Sequence, residues 1–201
     1  FLAIYENSIK FEQILIMART PSNMVPIGFQ APPFKLLNTL SNKVLDSSTL
    51  FGDKCTLIMF ICNHCPFVKH INREIVRLAN DFKNKGINFI AISSNDVVNY
   101  PEDSPEEMTK TAITEKYSFP YLYDETQKIA KNYDAACTPD FYVFDNNKKL
   151  IYRGQLDDSR PGNNIHLSGS DIRTVFNCVL ESKEITIDQK PSIGCNIKWF
   201  N

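Results

Sequence analysis

Two cysteines, Cys62 and Cys65, stand at the junction between two apolar patterns, and this arrangement constrains the fold more than any other feature of the chain. Before them, TLIMFI (56–61) is a continuous apolar run, which predicts a strand buried on both faces. A second apolar run, INFIAIS (87–93), completes a strand–helix–strand unit with an expected right-handed crossover. Between the runs, apolar residues recur at spacings of three and four, as in an amphipathic helix packed on a sheet: Phe67, Ile71, Ile75, Leu78 and Phe82.

Local capping signals predict where three helices begin or end. Lys85-Gly86 would close the first helix with a basic last turn and a glycine just beyond it. Residues 104–107 (Ser-Pro-Glu-Glu) have the pattern of a capping box and predict a helix to about Tyr117. The acidic residues around this start are interpreted as helix N-terminal charges rather than as a metal or substrate site. Residues 124–127 (Asp-Glu-Thr-Gln) predict another capping box and a short helix to about Tyr133.

The C-terminal third predicts a hairpin, a helix and an irregular tail. DFYVFD (140–145) and LIYRG (150–154) flank an Asn-rich turn and predict a β-hairpin. Ser168 is expected to cap a last helix, and residues 183–201 are expected to be irregular. The order is therefore βαβ, an inserted helical segment, then ββα. The predicted fold class is α/β, a thioredoxin-like fold with a central mixed sheet flanked by helices.

Length and composition fit one globular domain. The chain has 201 residues, of which 43% are hydrophobic and 22% charged, and its net charge of −1 gives no basic stripe for nucleic acid. No apolar run is long enough for a membrane span. Six cysteines without a repeated spacing suggest a reduced, cytoplasmic chain. Residues 1–16 are expected to be an upstream extension, with Met17 as the natural start and 17–201 as the folded domain.

The Cys62-Asn63-His64-Cys65 motif indicates redox chemistry. The spacing places the two sulfurs close enough for a disulfide at a helix N-terminus, whose free N–H groups favour a thiolate. Cys62 is expected to be the exposed nucleophile and Cys65 the more buried resolving thiol. Asn63 and His64 are expected to tune the pair, with a charged imidazole stabilising the Cys62 thiolate.

Thr138-Pro139 forms the second half of the predicted site. A proline directly before a strand is expected at its first residue or in the turn before it. In thioredoxin-like folds this proline is cis and faces the two cysteines. The residue before it offers backbone groups to an extended substrate, a form of strand addition. Thr138 and Pro139 are therefore the candidate substrate-binding residues.

Other cysteines and histidines leave alternatives open. Cys137 and Cys195 are candidate accessory thiols, although inert packing would also explain them. A structural metal site could use Cys62, Cys65 and His70, with His166 or Cys137 as a fourth ligand. That reading lacks the paired ligand spacing of closed zinc sites, so no metal is predicted.

The sequence resembles thioredoxin-family proteins of the AhpC/TSA-related, thiol-disulfide isomerase-like type. CNHCPFVKHI and PSIGCNIKW are specific to that group, and the similarity covers residues 17 to about 199. The matching segments are PSNMVPIGFQAPPF, FICNHCPFVKHI, SSNDVVNYPEDSPEEM, FPYLYDETQKIAK, ACTPDFYVFD, YRGQLDDSRPGN and PSIGCNIKW.

The resemblance implies a thiol–disulfide oxidoreductase that exchanges disulfides with protein or small-molecule thiols. It also implies no organic cofactor, only the redox-active disulfide. Its motifs assign Cys62 and Cys65 as the redox pair and Thr138-Pro139 as the cis-proline site. With a stabilised thiolate, the couple is expected to be more oxidising than thioredoxin at about −270 mV. The strand before the motif lacks the acid or amide that many relatives use for proton transfer, and Asp157 and Asp158 are the substitutes considered.

A peroxiredoxin-like antioxidant that reduces peroxides through Cys62 is the alternative enzyme. That chemistry uses a Ser or Thr three residues before the reactive cysteine. Met59 stands three residues before Cys62, and Cys62 itself stands three before Cys65. The sequence therefore favours dithiol–disulfide exchange.

Overall fold

The computed structural model describes residues 19–200 and is built on a mixed sheet of seven strands. The strand order is β3–β2–β6–β5–β4–β8–β9, and β4, β5 and β6 are parallel to one another. A smaller antiparallel sheet has the order β1–β10–β7. The strands are β1 Thr20–Pro21, β2 Lys35–Asn38, β3 Lys43–Asp46, β4 Cys55–Phe60, β5 Ile87–Ser93, β6 Tyr121–Tyr123, β7 Cys137–Thr138, β8 Asp140–Asp145, β9 Leu150–Gly154 and β10 Ile193–Asn196. The helices are α1 Pro66–Asp81, α2 Pro105–Thr114, α3 Lys128–Asn132 and α4 Ser170–Leu180.

β4 lies at the centre of the large sheet and is buried along its whole length. Leu57 and Met59 pack into the cluster that includes residues of α1 and α4. Ile58 and Phe60 point to the opposite face, into a cluster with Tyr133 and other aromatic residues. A strand covered on both faces has no polar side, which explains its uninterrupted apolar sequence.

The predicted βαβ unit is confirmed. β4 and β5 pair in parallel across α1, with Cys55 opposite Ile87 and Phe60 opposite Ile92. The helix ends at Asp81, earlier than the predicted Lys85-Gly86 closure. The backbone then turns through Asn84 and Gly86, both with positive φ, before it enters β5.

The three remaining helices start in different ways. At α2 the Ser104 hydroxyl accepts a hydrogen bond from the Glu107 N–H at 3.4 Å, as predicted. The predicted caps of α3 and α4 are wrong, because Gln127 and Gly169 precede these helices with φ of 59° and 65°. Ser168 instead donates its N–H to the Asp157 carboxylate at 2.7 Å.

The chain ends hold the largest differences from the predictions. The tail is not irregular throughout, because Ile193–Asn196 form β10 between β1 and β7.

Three internal strands, β2, β3 and β6, were not predicted, since each is short and lacks a long apolar run. The expected extension, residues 1–16, lies outside the described residues. Among residues 19–200, no helix is long and apolar enough to cross a membrane.

Asp140 is a buried acid at the start of β8. It accepts hydrogen bonds from the Tyr142 hydroxyl at 3.0 Å and from the Phe141 N–H at 3.1 Å. Burial raises the pKa of this carboxyl to about 7 despite these bonds. The folded protein therefore keeps a proton on Asp140 at pH values where the unfolded chain has lost it.

We predict that the wild type becomes less stable between pH 5 and pH 8 because of Asp140. Asp140→Asn should abolish this loss. The unfolded state binds fewer protons in this window, so the stability of the wild type falls as pH rises towards the folded pKa. At about 1.4 kcal/mol per pKa unit, the free energy of unfolding of the wild type should fall by about 3 kcal/mol more than that of the variant between these two pH values. Urea unfolding at both pH values measures it, with the exposed Asp53→Asn as control. Equal pH dependence in variant and wild type would contradict the prediction.

Candidate active site

The cysteine motif occupies the turn between β4 and α1. Cys65 is the N-cap residue of α1, and Pro66 takes the first helical position. The Cys62 residue is only 2% exposed and Cys65 is fully buried. The expectation of an exposed Cys62 is therefore wrong, because a neighbouring segment covers it.

That segment is the end of β7, and Thr138 contacts both sulfurs. The Thr138 hydroxyl lies 3.4 Å from the Cys62 Sγ, and the Thr138 carbonyl oxygen lies 3.1 Å from the Cys65 Sγ. The Thr138–Pro139 peptide bond is cis. The fold thus brings the two predicted halves of the site into direct contact, although 73 residues separate Cys65 from Thr138.

The partner of Thr138 in the sheet is a residue of this same chain. β10 pairs antiparallel with β7, and Cys195 lies opposite Thr138. The Cys195 and Cys65 side chains also lie close enough that each shifts the pKa of the other. The sequence predicted that a substrate segment would add to the strand at Thr138, but β10 already pairs with it there. Cys137, the other candidate accessory thiol, is buried, and its Sγ lies 3.5 Å from the Pro139 carbonyl oxygen.

Asp103 is a site residue that the sequence did not reveal. Its fully buried carboxylate lies 2.6 Å from His64 Nδ1 and accepts from the Asn63 N–H at 2.8 Å. It also accepts from the Asn95 side-chain amide at 2.7 Å. The acidic cluster was interpreted as helix N-terminal charge, which fits Glu106 and Glu107 in the first turn of α2. No local pattern distinguishes Asp103, because its partner His64 is 39 residues away.

Asn63 holds the same turn from the other side. Its side-chain oxygen accepts from the Tyr121 hydroxyl at 3.1 Å, and its amide donates to the Glu102 carbonyl at 2.9 Å. The imidazole of His64 stacks on Tyr100, with 5.5 Å between ring centroids. Asn63 and His64 therefore hold the motif in position through these contacts.

The electrostatics of Cys62 differ from the prediction. Burial lowers the pKa of His64, but the hydrogen bond and charge of Asp103 outweigh it and leave that pKa raised. The imidazolium thus lies against a carboxylate, which offsets its charge. Burial raises the pKa of Cys62 well above its ordinary value, and contact with Cys65 and the charge of Asp103 raise it further. The expected stabilisation of a Cys62 thiolate by His64 is wrong for this reduced state.

The surroundings of Cys65 favour a negative charge more than those of Cys62 do. Burial raises its pKa, but hydrogen bonding from Cys195 and Cys62 and the N–H of Val68 in the first turn outweigh burial and lower it. The Thr138 carbonyl is the single acceptor that favours the thiol form there. The reduced centre therefore has an acidic Cys65 between the two thiols of Cys62 and Cys195.

The residues named for the alternative metal site do not form one cluster in the described part of the chain. His70 Nε2 lies 2.8 Å from the Ser159 hydroxyl. Within the described part of the chain, the one group of three potential metal ligands is Cys62, His64 and Asp103. Their ligand atoms lie within 4.8 Å of one another, but the Asp103–His64 contact already satisfies two of them.

The two candidate proton acceptors, Asp157 and Asp158, hold the loop before α4. Asp157 accepts from the N–H groups of Ser159, Ser168 and Gly169. Asp158 forms an ion pair with Lys190 at 2.9 Å. Both carboxylates therefore have structural partners of their own.

Residues 27–153 match the family model described as the AhpC/TSA family. The chain belongs to this family. It is 58% identical to an uncharacterized conserved protein from Geobacillus kaustophilus, whose structure superposes with a TM-score of 0.89 over 90% of this chain and 96% of that one. A hypothetical protein from Sinorhizobium meliloti 1021 is 39% identical, with a TM-score of 0.88 over 90% and 98% of the two chains.

A more distant structure shows the fold. The thioredoxin domain of a thiol-disulfide oxidoreductase from Bacteroides vulgatus is 17% identical and has a TM-score of 0.56, with 68% of this chain and 90% of that one covered. Among proteins with curated descriptions, none matches the chain. The thioredoxin-like fold predicted from the sequence is confirmed.

We predict that Asp103→Asn lowers the pKa of His64, because the amide cannot supply the negative charge that favours the imidazolium. The change should lower the pKa of Cys62 as well, since Asp103 repels a thiolate there. Proton NMR titration of the imidazole measures the first effect, and pH-dependent alkylation of Cys62 measures the second. The exposed Glu106→Gln is the control. An unchanged His64 pKa in Asp103→Asn would contradict this view of the site.

Proposed function

We propose that this protein is a thiol–disulfide oxidoreductase whose redox pair is Cys62 and Cys65. The observation that carries the proposal is the contact of both sulfurs with Thr138, next to a cis-proline, at the N-terminus of α1. Membership of the AhpC/TSA family and the thioredoxin-like fold support redox chemistry at this place. A cytoplasmic location, expected from the cysteine pattern, is part of the same proposal.

The proximity of Cys62 and Cys65, which shift the pKa of one another, supplies a route for activation. Cys65 takes the proton of Cys62, and the Cys62 thiolate attacks a substrate disulfide, which releases one substrate thiolate. That thiolate takes the proton from Cys65. Cys65 then attacks Cys62 in the mixed disulfide and releases the second substrate thiolate. The protein is left with a Cys62–Cys65 disulfide, and the substrate has gained two electrons.

The burial of the pair limits what can reach it. Cys62 is 2% exposed, and β10 already pairs with the strand at Thr138. An extended protein segment would have to displace β10 to bind there. We therefore favour small disulfides and small thiols over protein segments as substrates.

A second candidate is reduction of a peroxide by the same pair. The Thr138 hydroxyl lies 3.4 Å from the Cys62 Sγ, so it can donate a hydrogen bond to a small oxidant held at that sulfur. Cys62 would become a sulfenic acid as the peroxide is reduced to an alcohol or water. Condensation with Cys65 would then give the same disulfide and release water.

We expect Cys62→Ser and Cys65→Ser each to reduce turnover of oxidised glutathione or hydroxyethyl disulfide by about a hundredfold or more. Each variant lacks one sulfur of the catalytic disulfide, whereas Cys178→Ser, on α4, should behave as the wild type. The same proteins are assayed with hydrogen peroxide. Faster consumption of peroxide than of disulfide would favour the peroxidase.

The redox state is checked by trapping free thiols in graded glutathione buffers and mapping disulfides by mass spectrometry. We expect one Cys62–Cys65 disulfide that forms at a defined potential. If both cysteines stay reduced over the whole range, or if turnover survives in Cys62→Ser, the proposed function is wrong.

A further inference from the structure

Two sulfurs contact Thr138, and a third cysteine lies opposite this residue in the small sheet. The Thr138 side chain contacts Cys62, its carbonyl contacts Cys65, and Cys195 lies directly opposite it across the β7–β10 pair. α1, which begins beside Cys65, also contacts β10. Directly opposed residues of antiparallel strands have Cα atoms about 4.5–5.5 Å apart, so Cys195 is held within side-chain reach of the redox pair.

The close approach of β10 depends on Gly194. A Cβ atom at this position would lie 1.9 Å from the Thr138 carbonyl oxygen. The tail is fixed on its other side as well, because the Lys198 N–H donates to the Asn95 side chain at 2.9 Å. Cys195 therefore belongs to a strand that is anchored at both ends, and its place beside Cys65 is built into the fold.

The three cysteines differ in their exposure to solvent. Cys65 is fully buried and Cys62 is 2% exposed, whereas Cys195 is 7% exposed. Cys195 is thus the least buried of the three residues. It also occupies the sheet position at Thr138 where an extended substrate segment was expected to pair.

The chemistry of Cys195 depends on the redox state of Cys65. In the reduced centre, the hydrogen bond to Cys65 and then burial raise the pKa of Cys195, so it remains a thiol. A disulfide at Cys65 removes the negative charge that Cys195 faces, while the nearby Lys198 ammonium still favours a thiolate. Cys195 becomes a better nucleophile only when there is a disulfide to attack.

We propose that Cys195 is a third redox thiol, which relays oxidation from the buried pair to a low-molecular-weight thiol. This inference rests on the proposed function of Cys62 and Cys65. Cys195 loses its proton and attacks the Cys65 sulfur of the Cys62–Cys65 disulfide. The Cys65–Cys195 bond forms, the Cys62–Cys65 bond breaks, and Cys62 leaves as a thiolate that takes up a proton.

The low-molecular-weight thiol completes the cycle. Its thiolate attacks Cys195, a mixed disulfide forms there, and Cys65 leaves as a thiolate. A second molecule attacks the mixed disulfide, which releases the oxidised small molecule and restores Cys195. Two external thiols have then lost two electrons, and the Cys62–Cys65 disulfide has gained them.

The first test traps the second disulfide in full-length Cys62→Ser, which retains both partners of the relay. After mild oxidation with diamide and thiol trapping, mass spectrometry should find Cys65 joined to Cys195. Cys65 recovered free or as an adduct, with Cys195 unpaired, overturns the proposal. This test does not depend on replacing Cys195, so a folding defect at that position cannot obscure it.

The second test measures re-reduction of the oxidised wild type and of Cys195→Ala by glutathione, with quenched alkylation at each time point. We expect re-reduction to be at least about tenfold slower in Cys195→Ala, because the accessible thiol is missing. Cys178→Ala should match the wild type. An equal rate in Cys195→Ala overturns the relay while leaving the proposed function intact. A wild type that forms no Cys62–Cys65 disulfide overturns both.

Discussion

The backbone of Thr138 contacts both the cysteine motif and β10. Cys65 contacts its carbonyl at 3.1 Å, and β10 pairs with the strand at the same residue. Gly194 permits that pairing, because any side chain there would collide with the Thr138 carbonyl. A shift of β10 would change the separation of Cys195 and Cys65. The arrangement of the three sulfurs therefore depends on one close approach of two backbones.

A buried carboxylate supports the motif from the opposite direction. An isolated charge in the position of Asp103 would be very unfavourable, so it persists only because donors surround it. The donors come from the motif, through Asn63 and His64, and from the end of β5, through Asn95. Because Asn95 also accepts from Lys198, Asp103 links the motif to the tail that carries Cys195. Removal of this carboxylate would leave several buried donors without an acceptor.

The parts of the fold that could be predicted are those specified by neighbouring residues. The apolar run of β4 and the stripe of α1 each contain their own periodic signal, and the motif between them follows from the spacing of Cys62 and Cys65. The cap of α2 is equally local, since Ser104 and Glu107 are three residues apart. The starts of β4 and α2 were predicted to within one residue, whereas α1 and α2 end before the predicted Lys85-Gly86 and Tyr117.

The features that could not be predicted depend on distant partners. Ser168 has the chemistry of a cap, but its hydroxyl donates to the Asp157 carboxylate at 3.3 Å, and α4 begins after Gly169 instead. β10 is four residues long and has no apolar pattern of its own, so its strand character comes from β1 and β7. Asp103 has the sequence context of a helix start, and its role emerges only where the chain returns to His64.

The same dependence on distant groups explains why the surroundings favour a negative charge on Cys65 over one on Cys62. A histidine next to Cys65 in the sequence suggests a cation beside the Cys62 sulfur, but Asp103 offsets that cation and repels a thiolate at Cys62. Cys65, in contrast, faces the Val68 N–H and the N–H and thiol of Cys195. A Cys62–Cys65 disulfide removes the charge that the Cys195 thiol faces, so the proposed relay draws on the same contact that stabilises the reduced centre.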